Sequence, residues 1–145
     1  MIMDATENKH LLQRIFAEFA KGNPELFLAS MAEDFHWTII GTTKFSGTYQ
    51  GKQAVIDKLL TPLIAQLDGP ICVTADRFIA EDDYVVMQGH GTATTKTGKP
   101  YNNTYCMVWR IAQGKIQEMT EYLDTELVTA AFGGCTVKCV TGYLQ

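Results

Sequence analysis

The chain has 145 residues, 46% of them apolar and 19% charged, with a net charge of −4 at pH 7. That composition belongs to one globular domain, large enough to bury a core or a ligand cavity. No cluster of Lys and Arg among aromatics offsets the acidic balance, which excludes nucleic acid as a partner, and no apolar run approaches the roughly 20 residues of a membrane span.

Leu11, Leu12, Ile15, Phe16 and Phe19 recur at helical spacing and predict an amphipathic helix over residues 5–21. Asp4 with Glu7 resembles a capping box at its start, and Gly22 suits its C-terminal cap. Asn23-Pro24 then restarts a helix, with Asn as cap and Pro in the first turn, running to about Met31. Phe35 to Ile40, aromatic and β-branched, predicts a strand. Residues 41–51, rich in Gly, Thr and Ser, read as a loop. Lys52 to Leu60 is helical, and Thr61-Pro62 either kinks that helix or caps a second piece reaching Leu67.

After the turn Asp68-Gly69-Pro70 the period changes from helical to extended. Ile71 to Ile79, Tyr84 to Thr95, Tyr101 to Ala112 and Lys115 to Asp124 read as four strands. The punctuation between them, Glu81-Asp82-Asp83, Thr97-Gly98-Lys99 and Gln113-Gly114, is short enough for antiparallel hairpins. Thr125 to Phe132 makes a last helical turn or two, with Asp124 starting it and Gly133-Gly134 closing it. Helices followed by a meander predict one α+β domain with helices packed on a curved sheet. Four cysteines, Cys72, Cys106, Cys135 and Cys139, fit neither a disulfide framework nor a zinc set and read as reduced thiols. The N-terminal segment lacks the basic start and apolar stretch of a signal peptide, which predicts a cytoplasmic protein.

The stretch Lys115 to Asp124 carries the chemistry. Glu121 shares a strand face with Met119 and Leu123, because side chains at i and i+2 point the same way. A carboxylate in that phase is either an exposed or ion-paired charge, or an acid set inside an apolar pocket. In the second case burial raises its pKa above the usual value of about 4.3 and suits it to proton transfer. On the strand from Tyr84, the residues Tyr84, Val86, Gln88, His90, Thr92 and Thr94 form the more polar face, a solvent or dimer surface by pattern alone. His10 reads as surface and His36 as structural. Trp37, Tyr49, Tyr101, Tyr105 and Trp109 are cavity wall or ordinary core, with Trp37 and Tyr105 the better candidates for lining a pocket. Asn103 and Tyr105 share a face and are placed to hydrogen-bond a ligand carbonyl. No phosphate loop, His-Glu metal motif or nucleophile elbow occurs, so neither a nucleotide cofactor nor a metal is expected.

Three segments carry a resemblance to a known family: Phe35-His-Trp-Thr-Ile-Ile-Gly41, Ser46-Gly-Thr-Tyr-Gln-Gly-Lys-Gln-Ala-Val55, and Tyr101-Asn-Asn-Thr-Tyr-Cys106 continuing to Glu121-Tyr-Leu-Asp124. With the element order, they resemble the NTF2-like superfamily, in its SnoaL-like, ketosteroid-isomerase-related branch, over roughly residues 7–130. The resemblance implies a cone-shaped half barrel whose helices close one end around an apolar cavity. It also implies a homodimer through the outer face of the sheet, where Thr104, Val108, Thr120 and Tyr122 stand.

The ketosteroid isomerase positions fall at Ile15, near Ile39, and at Cys106 or Met107, none of which carries that enzyme's acidic or phenolic groups. The final-strand acid of the polyketide cyclases and limonene-epoxide hydrolases falls at Glu121. The hydrolase's second aspartate and arginine fall at His90 and Gln88, and the cyclase's histidine at Met107. The resemblance thus implies Glu121 and His90 as an acid–base pair. Gln88, Trp37, Tyr49, Asn103, Tyr105, Met107, Ile15, Phe16 and Phe19 would then surround a small apolar substrate. Two functions are open on these grounds: a cofactor-independent isomerase, cyclase or hydrolase, and a binding module that holds an apolar ligand without reacting.

Overall fold

The computed structural model describes residues 4–134. Its first helix, α1 (Ala5–Ala20), starts on the expected capping box. The Asp4 carboxylate accepts from the Glu7 N–H at 2.9 Å, and the Glu7 carboxylate accepts from the Asp4 N–H at 3.1 Å. Leu11, Leu12, Ile15 and Phe16 form its buried stripe. Helix α2 (Glu25–Ser30) follows, with Asn23 Oδ1 accepting from the Glu25 N–H at 3.1 Å.

Strand β1 (Met31–Ile39) starts four residues before the predicted one, bulged between Met31 and His36 with Glu33 and Asp34 exposed. The predicted loop 41–51 contains a strand, β2 (Gly47–Gln50), pairing antiparallel with β1 from His36↔Gln50 to Ile39↔Gly47. It is a short edge strand, where a Gly- and Thr-rich sequence hides the strand signal.

The next helical region runs without a break through α3 (Lys52–Ala54), a π-helical stretch (Val55–Leu60) and α4 (Thr61–Ile64). Pro62 has no N–H to donate, and the turn before it is widened, with the Thr61 N–H on the Ile56 carbonyl five residues back. Strands β3 (Cys72–Glu81), β4 (Tyr84–Thr92), β5 (Thr104–Ala112) and β6 (Lys115–Leu123) form the predicted meander, and α5 (Thr125–Phe132) ends the described chain. Strand β4 stops three residues short of its predicted end and β5 starts three late, so their connection is wider than a tight hairpin. The β5–β6 turn is tight: Gln113 and Gly114 both have φ > 0 (55° and 71°), as a two-residue hairpin turn matched to strand twist requires.

The six strands lie in the order β2-β1-β6-β5-β4-β3, open at both edges, with β1 and β6 parallel and the other pairs antiparallel. This is the predicted α+β architecture, a curved unclosed sheet covered on one face by helices. Two apolar clusters fill the covered face. One lies under α1 and α2 and includes Leu12, Ile15, Phe27, Phe35, Val85 and Trp109. The other includes Ile39, Phe45, Leu59, Tyr101 and Val128. Trp37, Tyr49 and Leu123 pack on both and mark the seam between them. Among the described residues no helix is long and apolar enough to cross a membrane.

Candidate functional site

Strand register decides which predicted residues meet. The pairs Ile39↔Glu121, Glu121↔Met107, Met107↔Met87 and Met87↔Phe78 make one continuous row across β1, β6, β5, β4 and β3. Ile39, Glu121, Met107 and Met87 are buried, so this row lies on the covered face. The neighbouring row on the same face runs Tyr49, Trp37, Met119, Trp109, Val85. Glu121 therefore sits at the seam, between Ile39 of one cluster and Met107 of the other.

Glu121 is 7% exposed and forms no ion pair among the described residues. Burial without a compensating cation raises its pKa from 4.5 to about 8, because the charged form is the one that loses its hydration. At neutral pH the group is mainly a carboxylic acid. Of the two alternatives open for this residue, the exposed or ion-paired charge is not what is found: the carboxyl is buried among apolar side chains.

Two tyrosines stand near it. Tyr101 and Tyr105 are buried, and both hydroxyls are pushed up, first by burial and further by the charge that Glu121 can carry. The Tyr101 hydroxyl accepts from Asn103 Nδ2 at 3.3 Å, which leaves its own proton free to donate. Tyr105 fits because residue 91 is glycine: a Cβ there would lie 2.9 Å from Tyr105 Cε2. Tyr101 was not separated from ordinary core by pattern; its nearness to Glu121 depends on how residues 93–103 return to the sheet.

His90 and Gln88 are not at this site. The buried positions of β4 are Val85, Met87, Gly89 and Gly91, so the even-numbered residues face outward. The resemblance turned His90 inward, but polar patterning had assigned the correct face. The difference is one residue of phase, and one residue exchanges the faces of a strand. His90 is half exposed, with Nδ1 3.2 Å from Asp76 Oδ2, on the side of the sheet opposite Glu121. Gln88 is exposed on that same outer side, in an open depression of about 400 Å³ that also involves Asp76, Thr104, Cys106, Tyr122 and Asp124. His36 likewise serves the outer face, where Glu118 takes His36 Nε2 at 3.0 Å and Arg110 Nε at 3.1 Å.

Asn103 is also reassigned. It is fully buried, but its amide is used up internally. Nδ2 donates to Tyr101 Oη and to the Asp124 carbonyl, and Oδ1 accepts from the Thr104 and Asp124 N–H groups at 2.8 and 2.9 Å. It ties the start of β5 to the end of β6 and has no donor left for a ligand. The Tyr49 hydroxyl is similarly committed, donating to the Phe45 carbonyl at 2.8 Å. Ile15, Phe16 and Phe19 belong to the α1-side cluster, with Phe16 edge-on to Phe19, Phe78 and Trp109. Met107 flanks Glu121 as its direct cross-strand partner. Asp124 caps α5, accepting from the Leu127 N–H at 3.2 Å. Cys72 and Cys106 are free thiols on the outer side, and Cys135 and Cys139 lie outside the described residues. Among the described residues no three His, Cys, Asp or Glu side chains are grouped to hold a metal ion.

Residues 12–119 match the SnoaL-like domain family. The chain belongs to that family. The matched span stops two residues before Glu121, so the carboxyl's assignment rests on its own geometry. An NTF2-like protein from Burkholderia thailandensis E264 superposes with a TM-score of 0.75 at 25% identity, covering 86% of this chain and 95% of that one. A Jannaschia protein assigned as a SnoaL-like polyketide cyclase superposes with a TM-score of 0.72 at 17% identity, covering 89% and 93%. In sequence the chain is 24% identical over 122 residues to an uncharacterized protein of Mycobacterium tuberculosis H37Rv, spanning 84% of this chain and 92% of the relative. The SnoaL-like chain thus has the cone fold that the family resemblance implied.

Proposed function

We propose that this SnoaL-like protein is a cofactor-independent acid–base enzyme of isomerase, cyclase or epoxide-hydrolase type. Its substrate is a small, largely apolar molecule bound at the seam, and Glu121 is the group that moves the proton. The observation that carries this is a buried carboxyl with no ion-pair partner among the described residues, held where a pKa of about 8 lets it give or take a proton near neutral pH. Met87, Met107 and Met119 flank it on the same face, and their flexible thioethers make an adaptable wall for an apolar guest. Tyr101 supplies a hydroxyl proton nearby. His90 has no part in this chemistry. A cytoplasmic location fits the free thiols of Cys72 and Cys106.

The test begins by screening small enones, epoxides and aromatic polyketide esters for turnover. On the first substrate found, Glu121→Gln should lower turnover about 10²–10⁴-fold, the usual worth of one general acid or base. Affinity should change by no more than about tenfold, as for one altered hydrogen bond. Undiminished turnover by the variant would remove Glu121 from the role. Tight binding of apolar ligands with no turnover by the wild type would leave a binding module.

We further propose a homodimer through the outer face, where Tyr122 is 46% exposed beside the half-buried Val86, Val108 and Thr120. A sheet face of this kind is seldom left to solvent. Sedimentation at micromolar concentration should give twice the chain mass, and a monomer there would rule the dimer out.

A further inference from the structure

Trp37 stands at the seam with Glu121 and has a polar atom to spare. Its Nε1 is buried and has no hydrogen-bond partner among the described residues. Trp37 pairs with Met119 and Ile39 with Glu121, so Trp37 and Glu121 are diagonal neighbours on one sheet face. With strands about 4.8 Å apart and a rise of about 3.3 Å per residue, such neighbours lie roughly 8 Å apart, a gap that long and aromatic side chains span. Native structures keep few buried donors unpaired, and each that remains asks for a partner.

The chemistry of that partner follows from the groups around it. An indole N–H can only donate, so the partner is an acceptor. The buried polar side chains of the described residues are Asn8, Ser30, Thr43, Thr95, Asn103 and Glu121, with no Lys, Arg or His among them. An anionic ligand would find no balancing charge in the seam, and it would sit against Glu121. A neutral oxygen meets both conditions. Trp109 also has an unpartnered Nε1, but its ring lies in the α1-side cluster alone, edge-on to Phe16 and Phe27. Trp37 is edge-on to Phe27 and Phe35 of that cluster as well, but it also packs on the second cluster and so spans the junction.

We propose that Trp37 donates its indole N–H to a neutral carbonyl oxygen of the substrate, which makes small apolar ketones and enones the substrate class. This rests on the assignment of Glu121 and the seam as the reacting site. The donor fixes the carbonyl end of the guest, and the apolar body lies among Met87, Met107 and Ile39. Carboxylates and plain hydrocarbons are both disfavoured, the first for want of a cation and the second for want of an acceptor.

The experiment uses two probes of similar size, 4-phenylcyclohex-2-enone and phenylcyclohexane, with affinity measured calorimetrically on the full chain. The wild type should bind the enone about tenfold more tightly than the hydrocarbon, the share of one buried hydrogen bond. Trp37→Phe keeps a ring and removes the donor, so it should abolish that preference and leave the hydrocarbon's affinity in place. Equal affinities in the wild type, no binding of either probe, or equal losses for both probes in the variant would each overturn the proposal. Should the variant not fold, the wild type decides the matter. The chain has two tryptophans, hence two indole N–H resonances. The Trp37 N–H resonance should move downfield on saturation with enone, as a proton entering a hydrogen bond does, and no downfield shift would overturn the proposal. Because these readouts are binding alone, Trp37 can fail while Glu121→Gln still lowers turnover as expected. Equally, the enone preference can stand while no proton transfer is found.

Discussion

Glu121→Gln should make the protein more stable at alkaline pH while leaving it almost unchanged at pH 5. In the folded chain Glu121 holds its proton up to about pH 8, whereas its ordinary value is 4.5. Between those values the folded state binds more protons than the unfolded state. Stability therefore falls as pH rises from the lower value to the upper, and stays flat above it. The full loss, at about 1.4 kcal/mol per pH unit of that window, is roughly 5 kcal/mol and comes entirely from stripping water from a buried charge.

Glutamine has nearly the same shape and no charge to bury, so the variant escapes that loss. Urea unfolding at pH 5 should give free energies within about 1 kcal/mol of each other, and at pH 9 the variant should lead by roughly 3–5 kcal/mol. Every other titrating group is common to both proteins, so the difference between the two pH profiles belongs to Glu121. Parallel profiles would mean that the carboxyl keeps its water, and the case for proton transfer at the seam would go with it. A buried acid that weakens its own fold at alkaline pH is what the proposed proton transfer requires.

The fold was largely legible because its signals are local. The Asp4–Glu7 cap, the Leu11-to-Phe16 stripe, the Gln113-Gly114 turn and the period-2 alternation of β4 to β6 each follow from side chains a few residues apart. Strand β2 escaped because an edge strand of four residues, two-sided and mostly exposed, needs no apolar pattern. Glu121 was found by the same alternation, from its phase with Met119 and Leu123. For His90 position-by-position analogy and alternation disagree, and alternation is right: Gly89 and Gly91 occupy the inward positions beside it. The roles of Asn103 and Tyr101 were not legible, since they depend on partners brought together by the wide β4–β5 connection and the end of β6, 21 residues further along the chain. The unpaired state of the Trp37 N–H is a property of three-dimensional packing, and no spacing in the chain encodes it.

Gly89→Ala tests how tightly the wall behind Glu121 is built. Gly89 faces inward on β4 opposite Ala75, next to the place where β3 bulges between Ala75 and Arg77. Its backbone is not in the left-handed region, so any cost of substitution is one of space. A Cβ there would lie 2.3 Å from the Thr74 carbonyl oxygen, 2.8 Å from Met87 Sδ and 3.2 Å from the Ala75 Cα. The Met87 thioether can swing aside, but the other two contacts are backbone of the paired strand. Relief requires β3 to move away from β4, breaking ladder hydrogen bonds next to the bulge. Overpacking a core usually costs about 1–3 kcal/mol, and a clash with backbone belongs at or above the top of that range. Gly91→Ala makes the useful comparison. Its nearest contact, 2.9 Å, is with the Tyr105 ring, a side chain that can yield, so about 1–2 kcal/mol is expected there. Chemical denaturation of the two variants should separate them in that order. The positions differ in what they disturb: Gly89→Ala displaces Met87 in the row of Glu121, and Gly91→Ala displaces Tyr105 beside Tyr101. Equal, small losses at both would show that β3 slides freely on β4, and that the wall behind the carboxyl is loose rather than fixed by the pairing of the two strands.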